Sequence, residues 1–160
     1  MLTRIPIMAQ TASPSPASSS GSSRSFRTPG STASAVAVLI GGAAGAVCRS
    51  GGNSAIMNIF GGTFPLGILL INVAGGFLMG LLQGAIARSG RPRALLYSLL
   101  GTGFLGGFTT FSSFALDCFR LYSSGSAIMA ALNIIFNACL AIMAAGLGYG
   151  LCIRRGAPHA

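Results

Sequence analysis

The sequence predicts an all-α membrane protein with four transmembrane helices, the third of them broken. Three observations predict it. Hydrophobic residues make up 52% of the 160 residues and charged residues only 7%, with a mean hydropathy of +0.74. A soluble domain carries about 25% charged residues. The apolar residues fall in continuous runs long enough to cross a bilayer, which the alternating strands of a membrane barrel do not give. The third run contains Gly101-Thr-Gly-Phe-Leu-Gly-Gly-Phe-Thr-Thr-Phe-Ser-Ser-Phe114, with four glycines and five hydroxyl residues. Glycine weakens a helix interior, and Ser and Thr side chains compete for backbone hydrogen bonds. Irregular backbone survives in hydrocarbon only where it is buried in protein or lines a wet cavity. The stretch therefore predicts a helix break at a functional site. A flexible segment that only lets helices approach closely is the alternative.

The net charge of +9 comes from ten arginines, no lysine and one acid, Asp117. A basic chain can bind nucleic acid. Here the arginines flank apolar spans, so they are read as topology signals, with no nucleic-acid partner. Cys48, Cys118, Cys139 and Cys152 fall in or beside spans with no metal-ligand spacing, and His159 lies in the tail. The cysteines are read as small apolar packing residues. No nucleophile–base pair suggests an enzyme.

Residues 1–32 hold nine serines, four prolines and three arginines without an acid. They predict a disordered tail, and without an apolar core they do not predict a cleaved secretory signal. One four-helix domain is expected over 33–155, followed by a short tail, 156–160.

The first span is expected from about Ala33 to Gly52. Gly41, Gly45 and Arg49 recur every four residues, a small-residue stripe ending in a cation. Arg49 either snorkels from a span end to the interface or faces an aqueous vestibule. An uncharged loop, Asn53 to Phe64, leads to Pro65, which opens a second span running to about Ala87. That span puts Asn72, Gly76, Gly80 and Gly84 on one stripe. The lone amide is either interhelical glue or a contact for a ligand or ion. After the basic turn Arg88-Ser-Gly-Arg-Pro-Arg93, the third span runs to about Leu121. Phe111 and Phe114 share one face of it, and Asp117 and Arg120 are spaced for a local ion pair. The fourth span, about Ala127 to Ile153, puts Asn133, Asn137 and Ala141 on one stripe. Four spans place both termini on the same side.

These residues resemble the small fluoride channels of the Fluc or CrcB family over roughly 38–152. The likeness rests on Gly41-Gly-x-x-Gly-Ala-x-x-Arg49, on Phe64-Pro-x-Gly67 with Asn72, and on Gly103-Phe-x-Gly-Gly-Phe-Thr-Thr-Phe-Ser-Ser-Phe114 with Asp117. The last motif is highly specific. The resemblance implies a multi-pass protein of the inner (plasma) membrane that passively exports fluoride and relieves its toxicity. It implies an antiparallel dimer of four-helix subunits, with two fluoride paths and a structural sodium ion (Na+) at the centre. By position, Asn72 resembles the pore-lining amide, Phe111 and Phe114 the paired pore phenylalanines, and Arg49 the vestibule arginine. Gly106 and Thr109 match the positions whose carbonyls hold sodium. Thr110 and Ser113 supply hydroxyls in the same segment, and Asn137 an amide beside it. The chain departs from the family at Ile68, usually Thr, at Asp117, usually Glu, and at Asn133 and Asn137, often Tyr and Ser.

The chemistry is compatible. Fluoride is small and strongly hydrated, so a dry path must replace its water with amide, hydroxyl or backbone N–H donors. Ring edges carry positive charge that can face an anion. A proton-coupled small-cation exporter, built of four-helix subunits of dual topology, is the competing class. It needs a deep carboxylate, and only Asp117 is on offer, at a span end beside Arg120. A small scaffold subunit would explain the glycine stripes but not the set Asn72, Phe111 and Phe114.

The charge count pulls against an antiparallel homodimer. Arg24, Arg27, Arg88, Arg91, Arg93, Arg154 and Arg155 all fall on one side of a four-span topology, against Arg120 and Arg49 on the other. The positive-inside rule then predicts cytoplasmic termini. Either enough chains insert inverted to form a homodimer, or this chain forms a heterodimer with an oppositely oriented homologue.

Overall fold

A computed structural model describes residues 31–89 and 93–154 of the chain. It is all-helical over those residues. Helix α1 is Ser31–Phe60 and α2 is Leu66–Ser89. The third span divides into α3, residues 94–108, and α4, Phe111–Ser123; α5 is Ala127–Arg154. Four segments are long and apolar enough to cross a membrane: Thr32–Phe60, Leu66–Ser89, Ala94–Ser123 and Ala127–Arg154. The chain is a multi-pass membrane protein with its third span broken, as the composition predicts.

The first span differs from expectation. It does not end at Gly52, and the loop expected from Asn53 to Phe64 is largely helix. Asn53 and Asn58 stand singly among helix-compatible residues, and the uncharged stretch holds no proline before Pro65. The stop is Gly61-Gly62, whose φ angles of +50° and +124° suit glycine alone. Gly61 N–H still donates to Met57 O at 3.0 Å, closing the last turn. At the other end, Ser31 and Thr32 already belong to α1. The remainder of the expected N-terminal tail, the 156–160 tail and Arg155 lie outside the described residues, as do residues 90–92 of the basic turn.

Glycine brings the helices into backbone contact in two pairs. Along α2, a Cβ at Gly76 would lie 2.7 Å from Ala141 O, one at Gly80 would strike Ala145 O, and one at Gly84 would lie 3.0 Å from Tyr149 O. The expected stripe is therefore the face that α2 lays on α5, and Gly148 returns the contact against Phe77 O. Along α1, a Cβ at Gly41 would lie 2.8 Å from Phe104 N, and one at Gly45 would lie 2.8 Å from Phe108 N. Lipid tails are as apolar as leucine, so such association rests on close van der Waals packing. A methyl group in either seam costs roughly 1–3 kcal/mol of overpacking.

Candidate functional site

The site begins with how the third span loses its helix. Residues Tyr97–Leu105 wind more widely than an α-helix, and Gly106 N–H reaches back five residues to Gly101 O. One turn, Gly106–Phe108, follows. Then two residues are extended: Thr109 (φ −80°, ψ 155°) and Thr110 (φ −153°, ψ 124°). The break is therefore confined to Thr109-Thr110, whereas the whole glycine-rich stretch is a candidate in the sequence. Of the glycines before it, which keep a helical path, two are wedged against α1, Gly107 against Gly42 O and Gly103 near Val38 O.

Threonine chemistry fixes the two edges. Thr109 closes the upstream helix, with both its N–H and its hydroxyl donating to Leu105 O at 2.9 Å. Thr110 is the N-cap of α4; its Oγ1 accepts from Ser113 N–H at 3.2 Å. The same hydroxyl donates to Ser113 Oγ at 3.3 Å and shares a hydrogen bond with Ser112 Oγ at 3.2 Å.

Asn72 reaches the break from α2. Its Oδ1 accepts Thr110 N–H at 3.0 Å and its Nδ2 donates to Thr110 O at 3.3 Å. A residue freed from the helix in the membrane thus finds a side-chain partner for both of its backbone polar groups, as a buried backbone requires. Nδ2 also donates to Asn137 Oδ1 at 2.9 Å. Asn137 Nδ2 in turn donates to Asn133 O at 3.2 Å and Asn133 Oδ1 at 2.8 Å. Asn133, 1% exposed, donates from Nδ2 to Cys118 Sγ at 3.2 Å. The fourth-span stripe therefore faces inward. Cys118, read from sequence as mere packing, ends a polar chain; the available signal was its place one turn after Phe114 on the same helix face.

The diversion of two N–H groups has a consequence for the carbonyls at the break. In an unbroken helix Thr110 N–H would bond Gly106 O, and Ser113 N–H would bond Thr109 O. Here those donors go to Asn72 Oδ1 and to Thr110 Oγ1. The Gly106 and Thr109 carbonyls thus lose the helical donors that an unbroken helix would give them, and a neutral carbonyl oxygen is one of the ligand types that a hard cation takes.

Both residues line one open groove of about 570 Å³, together with Asn72, Asn137, Phe111 and Phe114. Phe111 is 79% exposed, and its ring lies 5.5 Å from that of Phe114 at 60°. That is a tilted pair, which turns an edge rather than two faces into the space between them. Ser113 points elsewhere, to Arg49, whose Nη1 donates to its Oγ at 3.4 Å. Since α1 runs on to Phe60, about three turns past Arg49, this arginine is not at a helix end. It is half-buried against α4. Asp117 does not line the groove. It pairs with Arg120 at 3.8 Å, the ion pair that their spacing predicts.

Comparison with known proteins supplies the context for this geometry. Residues 36–149 match the family described as CrcB-like protein, Camphor Resistance (CrcB). A protein of Pseudoalteromonas translucida named fluoride-specific ion channel FluC is 38% identical over 119 residues, covering 74% of this chain and 99% of that protein. Proteins of the same name from Cereibacter sphaeroides and Methylobacterium nodulans are 44% and 43% identical over 119 residues, covering 74% of this chain and 92% and 93% of their own length. With four apolar spans, a broken third helix and this match over most of its helical length, the chain belongs to the CrcB family of membrane proteins.

Proposed function

We propose that this protein is a passive fluoride channel. The observation that carries the reading is one groove onto which the helix break, Asn72 and both phenylalanines open, in a chain whose relatives are named fluoride-specific ion channels. Asn72 Nδ2 supplies amide hydrogens, and the tilted rings of Phe111 and Phe114 supply positive edges. These are donors for a dehydrated anion without a fixed charge that would trap it. Thr110 adds a hydroxyl beside the path and Asn137 borders it, while Ser113, turned from the groove to Arg49, helps hold the arginine that marks the vestibule. Purified protein in liposomes should release fluoride down its gradient and leave chloride behind. Retention of fluoride would refute the proposal. Asp117, outside the groove and paired with Arg120, gives a proton-coupled cation exporter no deep carboxylate to work with.

The groove is open on one side, and a path open to lipid cannot hold a dry anion. Its cover is a second four-helix subunit, antiparallel to the first, so that two paths form. The carbonyls of Gly106 and Thr109 would hold a sodium ion at the breaks; bound there, it ties segments together by charge and does no chemistry on the anion. Replacing sodium by a large organic cation should slow flux and lower the dimer's melting temperature, and Thr109→Val, which spares the carbonyl, should leave that sodium dependence intact. Insensitivity to sodium would remove the ion from the mechanism. A homodimer is favoured over a heterodimer, because one chain carries all the groove residues. A C-terminal topology reporter, read in cells that are also assayed for flux, decides this. One orientation with no flux would point to a missing, oppositely oriented partner.

A further inference from the structure

The amides of Asn72, Asn137 and Asn133 form a chain with a single hydrogen-bond direction, fixed by two backbone groups that cannot reverse, Thr110 N–H and Asn133 O. At one end Thr110 N–H can only donate, so it must meet Asn72 Oδ1. Asn72 therefore turns Nδ2 toward α5, where only an acceptor will do, and Asn137 presents Oδ1 at 2.9 Å. Asn137 Nδ2 then faces Asn133 O, a carbonyl that can only accept, and Asn133 Oδ1 at 2.8 Å. Asn133 is left to give its own Nδ2 to Cys118 Sγ. Flipping any one amide would set donor against donor or acceptor against acceptor at a neighbour.

We infer that Asn137 and Asn133 are positioning residues for Asn72 rather than ligands of the anion. This rests on the channel reading above. Asn137 has both amide hydrogens directed at Asn133, so toward Asn72 it offers an oxygen, which repels fluoride. What it does is hold Asn72. Of the two contacts that Nδ2 of Asn72 makes, the one to Asn137 Oδ1 is 2.9 Å and the one to Thr110 O is 3.3 Å. The longer bond is the weaker. An arriving anion takes the hydrogen that Thr110 O holds loosely, while the bond to Asn137 stays as the pivot. Asn133, almost without solvent contact, fixes which way the pivot faces.

The test measures fluoride and chloride flux from liposomes for Asn133→Ala, Asn137→Ala and the double variant. Loss of one buried hydrogen-bond partner should lower fluoride flux about tenfold in each single variant and reduce the fluoride-to-chloride ratio. The double variant should be no worse than Asn137→Ala, because Asn133 acts only through it. The near-isosteric pair Asn137→Thr and Asn137→Val provides a comparison that does not depend on an alanine cavity. The threonine hydroxyl can accept from Asn72 and donate to Asn133 O, so it should keep more than half the parental flux, whereas valine should not. Parental flux with parental selectivity in Asn133→Ala, additive losses in the double variant, or equal behaviour of Thr and Val would each overturn the inference while leaving the channel reading in place. Absence of flux from the parental chain would instead overturn the channel reading, and this inference with it.

Discussion

In the α2–α5 pair, two unbroken helices of 24 and 28 residues meet along Gly76, Gly80, Gly84 and Gly148. In the pair that α1 makes with the third span, Gly41 and Gly45 meet a partner that winds widely and then stops at Thr109. Both seams use the same material, glycine against backbone, and their outcomes differ. The α2–α5 seam carries the amides Asn72, Asn133 and Asn137, and both of its helices run unbroken. The third span has lost backbone bonds at 109–110 and borrows a partner for them from α2. The difference teaches that the continuous pair is the frame, and that the broken helix is stable in a membrane only because the frame carries an amide to it. Helix irregularity here is thus a property of two spans together.

The comparison is broken most severely at Asn72. Asn72→Ala strips both Thr110 backbone groups of their partner, at about 1–3 kcal/mol for each buried group left bare. Fluoride flux should fall by about a hundredfold while gel filtration still shows the assembled protein. Unchanged flux would mean that the frame does not supply the break, and that Asn72 only joins helices.

Gly80→Ala and Gly45→Ala sharpen the contrast between the seams. Each adds a methyl against backbone and should lower stability in detergent by roughly 1–3 kcal/mol. Gly80→Ala should leave the fluoride-to-chloride ratio untouched. Gly45→Ala presses on Phe104 and Phe108, just before the break, and should change the ratio. Equal effects on selectivity would erase the distinction between frame and broken helix.

A smaller effect is expected at the rings. Phe111→Ile and Phe114→Ile keep bulk and remove the ring edge. An aromatic pair is worth about 0.5–1.5 kcal/mol beyond its buried area, so flux should drop by up to about tenfold. Parental rates in both variants would reduce the rings to packing.

The smallest expected effect is at the N-cap. Thr110→Ala keeps the backbone clamp to Asn72 but releases Ser113 N–H. It should cost about 1 kcal/mol of stability, read as a lower melting temperature, with flux reduced less than in Asn72→Ala. A larger loss of flux than at Asn72 would move the centre of the site from the amide to the hydroxyl.

Much of this molecule is determined by sequence alone. Four apolar runs cannot be anything but spans, because lipid admits only segments that satisfy their own backbone. The α2 stripe Gly76, Gly80, Gly84 is readable as a contact face because glycines repeated every four residues fall on one side of a helix. The Asp117–Arg120 pair and the shared face of Phe111 and Phe114 follow from the same periodicity. The tertiary structure decided the rest. The end of α1 at Phe60 could not be read from the uncharged stretch 53–64, since isolated Asn residues are compatible with both helix and loop. Which two residues of 101–114 break the helix depended on what packs beside them: α1 lies against Gly103 and Gly107, and Asn72 accepts the N–H that Thr110 withdraws. Whether Asn133 and Asn137 face lipid or protein, and which way their amides turn, was likewise undetermined. The direction of a hydrogen-bond chain is set by groups that cannot reverse, and here these, Thr110 N–H and Asn133 O, lie on different spans.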